Sequence, residues 1–276
     1  MNIFLFELRR QRTAIIAWTI ALSVICLFFM CLYPAFNQGM MSMKDMLANY
    51  PKQVLDALNM HLDNMGTIFG YYPFALTYVA LIGSIGAVYF GMGMLSRENR
   101  EKTADFLLSK PVKRGRVIAA KMLAVLCSLV IINAVFVVTS IFWCLGFSTS
   151  SFNVGTLVMM SATLFFMQLV FAAFGVFIAV FFRRIKSVLS VALAVGFAFF
   201  LLSAFDSIVN DAADKISGQS GLDVMHFISP TKYFDYQAIA INNSYSAAPF
   251  VTVAVVLVLF VGASAVWFVR QDTHAV

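Results

Sequence analysis

The residues whose types allow chemistry are few, and their spacing does not assemble a metal site. His61 and Asp63 offer two potential ligands close together, and a third is missing from their neighbourhood. Thioether sulfurs suit Cu(I), so the nearby methionines raise the alternative of a soft-metal site. These methionines are Met40, Met41, Met43, Met46, Met60 and Met65. We favour adaptable apolar packing for them and assign no metal.

Catalytic motifs give no enzyme prediction either. Cys26, Cys31, Cys127 and Cys144 lie within long apolar runs, and their spacing matches no zinc or redox motif. The sequence contains no G-x-x-x-x-G-K-[ST] phosphate loop, no G-x-S-x-G and no H-E-x-x-H. We therefore expect no catalytic residues and no bound cofactor in this chain.

The composition is that of an integral membrane protein. Of the 276 residues, 61% are hydrophobic and 12% are charged, and the mean hydropathy is +0.88. Soluble domains carry about 25% charged residues. The charged residues here are grouped between long apolar runs, so the apolar content does not form one large soluble core. We predict a single transmembrane domain over residues 1–276.

Six apolar runs are long enough to cross a bilayer as helices, which takes about 20 residues each. The predicted spans are residues 14–34, 74–95, 122–147, 154–182, 188–207 and 248–269. These runs lack the alternating pattern of a transmembrane barrel, and a helix satisfies its own backbone hydrogen bonds in lipid. The predicted fold is an all-α polytopic membrane protein with six transmembrane helices.

Lysine and arginine residues predict the orientation. With six spans and an inner N-terminus, only Lys44, Lys52, Lys215 and Lys232 of the 19 fall on the outer segments 36–72 and 208–247. This positive-inside bias predicts cytoplasmic N- and C-termini. Topology and contact with anionic lipid explain the net charge of +6, so we expect membrane lipid and no nucleic acid as a partner.

Residues 1–12 combine apolar side chains with three arginines, which predicts a short helix at the membrane interface. A cleaved signal peptide is the alternative, but the apolar run from residue 14 is too long for one, and no suitable cleavage site follows. Polar residues also occur at depth in the third and fourth spans: Asn133, Thr139, Ser140 and Gln168. They either hydrogen-bond between helices, which we favour, or face a substrate path.

A charged amphipathic segment, residues 97–121, lies between the second and third spans on the predicted inner side. Residues 97–109 fit a helix whose Thr103, Phe106 and Leu107 share one face. Pro111 ends that helix, because its ring clashes with the preceding turn and it lacks an N–H. The pattern suits either a surface that docks a protein partner or a solvated loop, and both interpretations stay open.

The run EKTADFLLSKPVKR at residues 101–114, followed by Lys121, resembles the cytoplasmic signature of ABC-2-type transporter permeases. That signature combines an acidic pair, Thr, a hydrophobic triplet, Pro, a basic residue and a downstream Lys. Two weaker matches lie at residues 57–71 and 228–235. Many family members have Gly immediately before the Thr, where this chain has Lys102.

The resemblance implies that residues 97–121 are a coupling segment that docks into a separate ABC ATPase subunit. It assigns Glu98 and Glu101 as polar contacts. It assigns the docking face and the fixed turn to these residues: Thr103, Phe106, Leu107, Pro111 and Arg114. ATP and Mg would be bound by the partner subunit, since this chain has no phosphate loop.

The resemblance further implies a type V exporter-like permease that works with a second permease copy, as a homodimer or a heterodimer, in a bacterial-type inner or plasma membrane. We expect export of a lipid, an amphipathic peptide or a hydrophobic compound, and a transport subunit without enzymatic activity of its own. The alternatives are an ion-coupled secondary carrier and an intramembrane enzyme.

Overall fold

The computed structural model describes residues 3–39, 55, 67–100, 114–148, 152–182, 185–217 and 229–270. Regular structure within these ranges is helical throughout, which confirms the all-α prediction. The long helices are α1 (Ile3–Gln38), α2 (Ile68–Arg100), α3 (Arg114–Phe147), α4 (Val154–Phe181) and α5 (Val188–Ser217). A 3₁₀ turn (Pro230–Lys232), the short helix α6 (Tyr236–Asn242) and α7 (Ala248–Arg270) follow.

Four helices begin directly after a polar residue whose side chain accepts a hydrogen bond from the first turn. The backbone N–H groups of these turns donate to side-chain oxygens over 2.9–3.3 Å. The accepting residues are Thr67, Asn153, Ser187 and Asp235. Such caps satisfy donors that a helix start leaves without an intrahelical partner, so the short polar connections define where α2, α4, α5 and α6 begin.

Five described helices are long and apolar enough to cross a membrane, which makes the chain a multi-pass membrane protein. Their qualifying stretches are Phe4–Asn37, Ile68–Ser96, Gly115–Phe147, Val154–Phe181 and Val188–Phe205. Each of these stretches overlaps one of the first five predicted spans. The sixth predicted span, residues 248–269, is also helical in α7, where the apolar stretch Ala248–Ser264 is shorter.

Helices α2 and α4 form the centre of the bundle, and their mutual contact is the most extensive in the described part of the chain. The two backbones approach each other at glycines. A Cβ atom at Gly91 would overlap the carbonyl of Ala172, and one at Gly175 would lie 2.6 Å from the carbonyl oxygen of Val88. Small residues permit this close van der Waals packing, which is a main source of helix association in lipid.

The other long helices surround this centre. Helix α1 packs along α3 and α2, α5 packs on α2, and α7 packs on α4. Their outward faces carry exposed apolar side chains such as Ile20, Val138, Leu201 and Val258. In a bilayer such faces contact acyl chains or another membrane polypeptide, so their exposure here is compatible with a membrane environment.

The structure corrects the prediction of a separate interfacial helix at residues 1–12. From Ile3 onward these residues form the start of one continuous α1. The physical reason is that Glu7 and Gln11 are buried rather than facing water. Helix α5 likewise continues to Ser217, beyond its predicted end at residue 207. Much of the predicted outer segments lies outside the described residues.

We expect Gly175→Ala to destabilise the bundle, because the added Cβ would meet backbone atoms of α2 that no rotamer change can move. Overpacking of this kind costs about 1–3 kcal/mol. A thiol-reactive dye would report the lowered unfolding temperature of the purified protein as a rise above the signal of the exposed Cys31, since Cys26 and Cys144 are buried until the bundle opens.

The matched control is Gly262→Ala in α7, where an added Cβ would have no neighbouring atom within 4 Å. This change should leave the unfolding temperature unchanged or raise it slightly, since Ala is the better helix former. Equal unfolding temperatures for the two variants would contradict the close α2–α4 packing.

Candidate functional site

The candidate site is the connection between α2 and α3, which contains the predicted coupling segment, residues 97–121. Glu98 lies in the last turn of α2, and Arg114 begins α3. The remaining predicted docking residues lie outside the described residues: Glu101, Thr103, Phe106, Leu107 and Pro111. The structure therefore describes the two helices that carry the coupling segment and leaves its docking face a prediction.

The ends of several helices meet where the coupling segment joins the bundle. A small cavity there is lined by Met94 of α2, Lys121 of α3 and Val176 of α4. Nearby, the Phe181 ring at the end of α4 stacks on Trp267 of α7, with ring centroids 4.8 Å apart. The C-terminal ends of α2, α4 and α7 thus lie together with the N-terminal ends of α1 and α3.

Exposed basic side chains are concentrated at this same end, which we call the basic end. They are Arg9, Arg10, Arg12, Arg116 and Lys186. The described residues of the opposite end include Lys232 and Asp235, which offset each other in charge. An excess of Lys and Arg at one end matches the asymmetry that the positive-inside rule associates with the cytoplasmic side.

A buried ion pair lies at the basic end. The Glu7 Oε1 atom of α1 is 3.6 Å from the Lys121 Nζ atom of α3, and the two residues are 6% and 2% exposed. The Lys121 ammonium also donates a 2.8 Å hydrogen bond to the backbone carbonyl of Met94 in α2. We call Glu7, Lys121 and the Met94 carbonyl the three-helix junction, since these groups join α1, α2 and α3.

A second polar contact lies one helical turn further along α1. The Ser128 hydroxyl of α3 donates to Gln11 Oε1 over 3.3 Å, and both residues are buried. Sequence reasoning missed Glu7 and Gln11 because it placed residues 1–12 at the membrane surface. The available signal was their i, i+4 spacing, which puts an acid and an amide on one helix face in a stretch otherwise apolar and basic.

Polar residues at mid-depth hydrogen-bond between helices. Asn133 Nδ2 of α3 donates to Gln168 Oε1 of α4 over 2.6 Å and also contacts the Leu129 carbonyl at 2.8 Å. The Thr139 Oγ1 atom of α3 lies 3.1 Å from the Ser23 Oγ atom of α1. These contacts confirm the hydrogen-bonding interpretation. Within the described residues, the buried Asn133 Oδ1 atom has no hydrogen-bond partner.

Residues 229–245 cover the opposite end of the bundle. The Phe234 ring packs edge-on to Phe250 with centroids 5.4 Å apart, and the Tyr245 hydroxyl donates to the Met159 carbonyl over 2.7 Å. The part of the 228–235 motif that the structure describes therefore packs this segment onto α4 and α7. Its position is far along α4 from the basic end.

The comparison with known families decides the identity. A family model described as ABC-2 family transporter protein matches residues 1–273 of the chain. The chain belongs to the ABC-2 family. No curated protein matches it.

Membership of the ABC-2 family makes the chain the membrane-spanning permease of an ABC transporter. In this family the permease is the transport subunit and is not itself catalytic, and it normally works with an ABC ATPase subunit. Nearly the whole ABC-2 chain, from α1 to α7, lies within the matched range.

Replacing Lys121 with Met should destabilise this ABC-2 permease strongly. The change leaves the Glu7 carboxylate buried without its cation, and breaking a buried pair from one side costs about 3–5 kcal/mol. We expect a clearly lowered unfolding temperature in the thiol-dye assay of the purified protein.

The matched control is Lys186→Met, which makes the same chemical change at an exposed position of the basic end. It should leave the unfolding temperature nearly unchanged. If Lys121→Met were as stable as Lys186→Met, the buried pair would contribute nothing to the fold.

Proposed function

We propose that this ABC-2 permease is an exporter subunit that receives force through residues 97–121 from a separate ATPase subunit. The observation that carries the proposal is the hydrogen bond from Lys121 to the Met94 carbonyl. It ties the end of α2 to the start of α3, so the two helices that carry the coupling segment move together. A stiff pair of helices transmits rigid-body motion better than a loose loop does.

The docking face is assigned by resemblance. Thr103, Phe106 and Leu107 insert into the ATPase subunit, Glu98 and Glu101 make polar contacts, and Pro111 with Arg114 fixes the turn. The ATPase subunit binds ATP and Mg, and its closure displaces the segment. Support comes from the family match and from the end of α2 and the start of α3, which lie at the basic end, where anionic lipid and the cytoplasm would lie.

The proposed topology has six spans, with α7 as the sixth and both termini cytoplasmic. Exposed apolar faces on α1, α3, α5 and α7 leave room for a second permease copy, in a homodimer or a heterodimer, and for lipid. The proposed location is a bacterial-type inner or plasma membrane. Nucleic acid has no part in this proposal.

The proposed substrate is a lipid, an amphipathic peptide or a hydrophobic compound, moved between the two copies. An ion-coupled secondary carrier is the alternative, and an intramembrane enzyme a more remote one. Carriers commonly place ionisable groups at mid-membrane. Among the residues whose burial the structure describes, the buried charged ones are Glu7 and Lys121, at the basic end, which favours the exporter.

The docking proposal predicts that Phe106→Asp with Leu107→Asp abolishes binding of the ATPase subunit. Two carboxylates on the predicted apolar face would be desolvated on docking, which costs several kcal/mol. Co-purification of the ATPase with tagged permease, followed by ATPase activity in lipid, measures the loss.

The matched control is Lys102→Asp, which changes the formal charge by the same amount on the predicted polar face. This variant should retain most of the bound ATPase. If the ATPase subunit co-purified with the double variant as well as with the unaltered permease, the docking proposal would be contradicted.

The exporter proposal also predicts that transport requires ATP. With the complex reconstituted in vesicles, a fluorescent short-chain phospholipid should change leaflet when ATP and Mg are supplied. An ion gradient without ATP should give no movement above protein-free vesicles. Movement driven by the gradient alone would favour the secondary carrier.

A further inference from the structure

Helix α1 is not continuous with the coupling segment. It nevertheless contacts α2 and α3, the two helices that are continuous with that segment, through Lys121. Helices α2 and α3 bound residues 97–121 directly, whereas Glu7 lies far before them in the chain. At the basic end the Lys121 ammonium bridges the Glu7 carboxylate and the Met94 carbonyl. Any displacement of the segment that moves Lys121 therefore acts on α1 at the same time.

Packing alone would not require these charges. A buried ion pair has to offset the loss of hydration of both groups, and apolar residues of similar volume often replace such pairs without loss of stability. The role of the ion pair is instead to fix the positions of the helices relative to one another. The described contacts of the ammonium include oxygen atoms on two different helices, and each of these contacts fixes the position of one helix relative to α3.

Glu7 and Gln11 both lie on the buried face of α1 that meets α3. The exposed basic residues of α1 are Arg9, Arg10 and Arg12. Gln11 adds a second, uncharged contact to Ser128 of α3. Two polar contacts in successive turns hold the first part of α1 in register with α3.

We propose that Glu7 is a positioning residue that couples α1 to the force-receiving segment through Lys121. This inference rests on the proposed function, because it presumes that an ATPase subunit displaces residues 97–121. Nucleotide-driven motion then enters the membrane domain through three helices together, and the start of α1 follows the segment. Removing the carboxylate leaves the segment able to move and α1 unable to follow.

Hydrogen exchange of the whole permease–ATPase complex in lipid nanodiscs tests this, with and without ATP and vanadate. In the unaltered complex, we expect the exchange rate to change at least about twofold with nucleotide in peptides covering residues 3–13 and 97–121. In Glu7→Gln the change should persist in 97–121 and disappear in 3–13. If Glu7 had a merely structural role, Glu7→Gln would alter the exchange rate of residues 3–13 without nucleotide and would leave the change that nucleotide causes there.

A second variant covers the case in which Glu7→Gln fails to fold. Glu7→Leu with Lys121→Leu removes both charges at similar volume, and we expect it to fold and to lose the nucleotide response in residues 3–13. If that response survived, packing alone would couple α1, and the inference would be overturned. Arg12→Gln, an exposed change on the same helix, should keep the full response.

The two proposals fail in different ways. If the exchange rate of the 97–121 peptides did not change with nucleotide in the unaltered complex, the proposed function would be overturned. A response in 97–121 together with an unchanged response of residues 3–13 in Glu7→Gln would overturn the role of Glu7 alone.

Discussion

The close contact between α2 and α4 is the interaction on which the rest of the bundle depends. It exists because Gly91 and Gly175 present no side chain where the two backbones meet. In lipid, helices gain little from the hydrophobic effect on association, so dense packing of small residues has to supply the attraction. With α2 and α4 joined, α5 and α7 have surfaces to pack on, and α1 and α3 complete the other side.

The same central helix α2 leads into the coupling segment. Its packing in the bundle therefore also determines how the coupling segment is held. Its last turns are held from the side by Lys121, and Lys121 is held in turn by Glu7. Polar groups at the basic end therefore join helices that apolar packing alone would leave free to slide. At mid-depth the Asn133–Gln168 hydrogen bond has a comparable effect between α3 and α4.

Several features follow from the sequence with simple physics. Runs of about 20 apolar residues predicted the long helices, and the predicted spans that begin at residues 154 and 188 start where α4 and α5 start. The interhelical role of Gln168 also followed, since an amide in lipid needs a partner. Glu7 was missed because an acid among arginines near a chain start usually faces water, and only a partner on another helix makes its burial acceptable.

The sequence by itself determined the membrane class, the helices, the charge asymmetry and the resemblance of residues 101–114 to a permease signature. These depend on composition, local periodicity and short motifs, which are properties of neighbouring residues. The tertiary structure decided which helices are central, which glycines meet another backbone, and that Lys121 joins Glu7 to the Met94 carbonyl. Those facts depend on contacts between residues far apart in the chain, and hydropathy treats every face of an apolar helix alike.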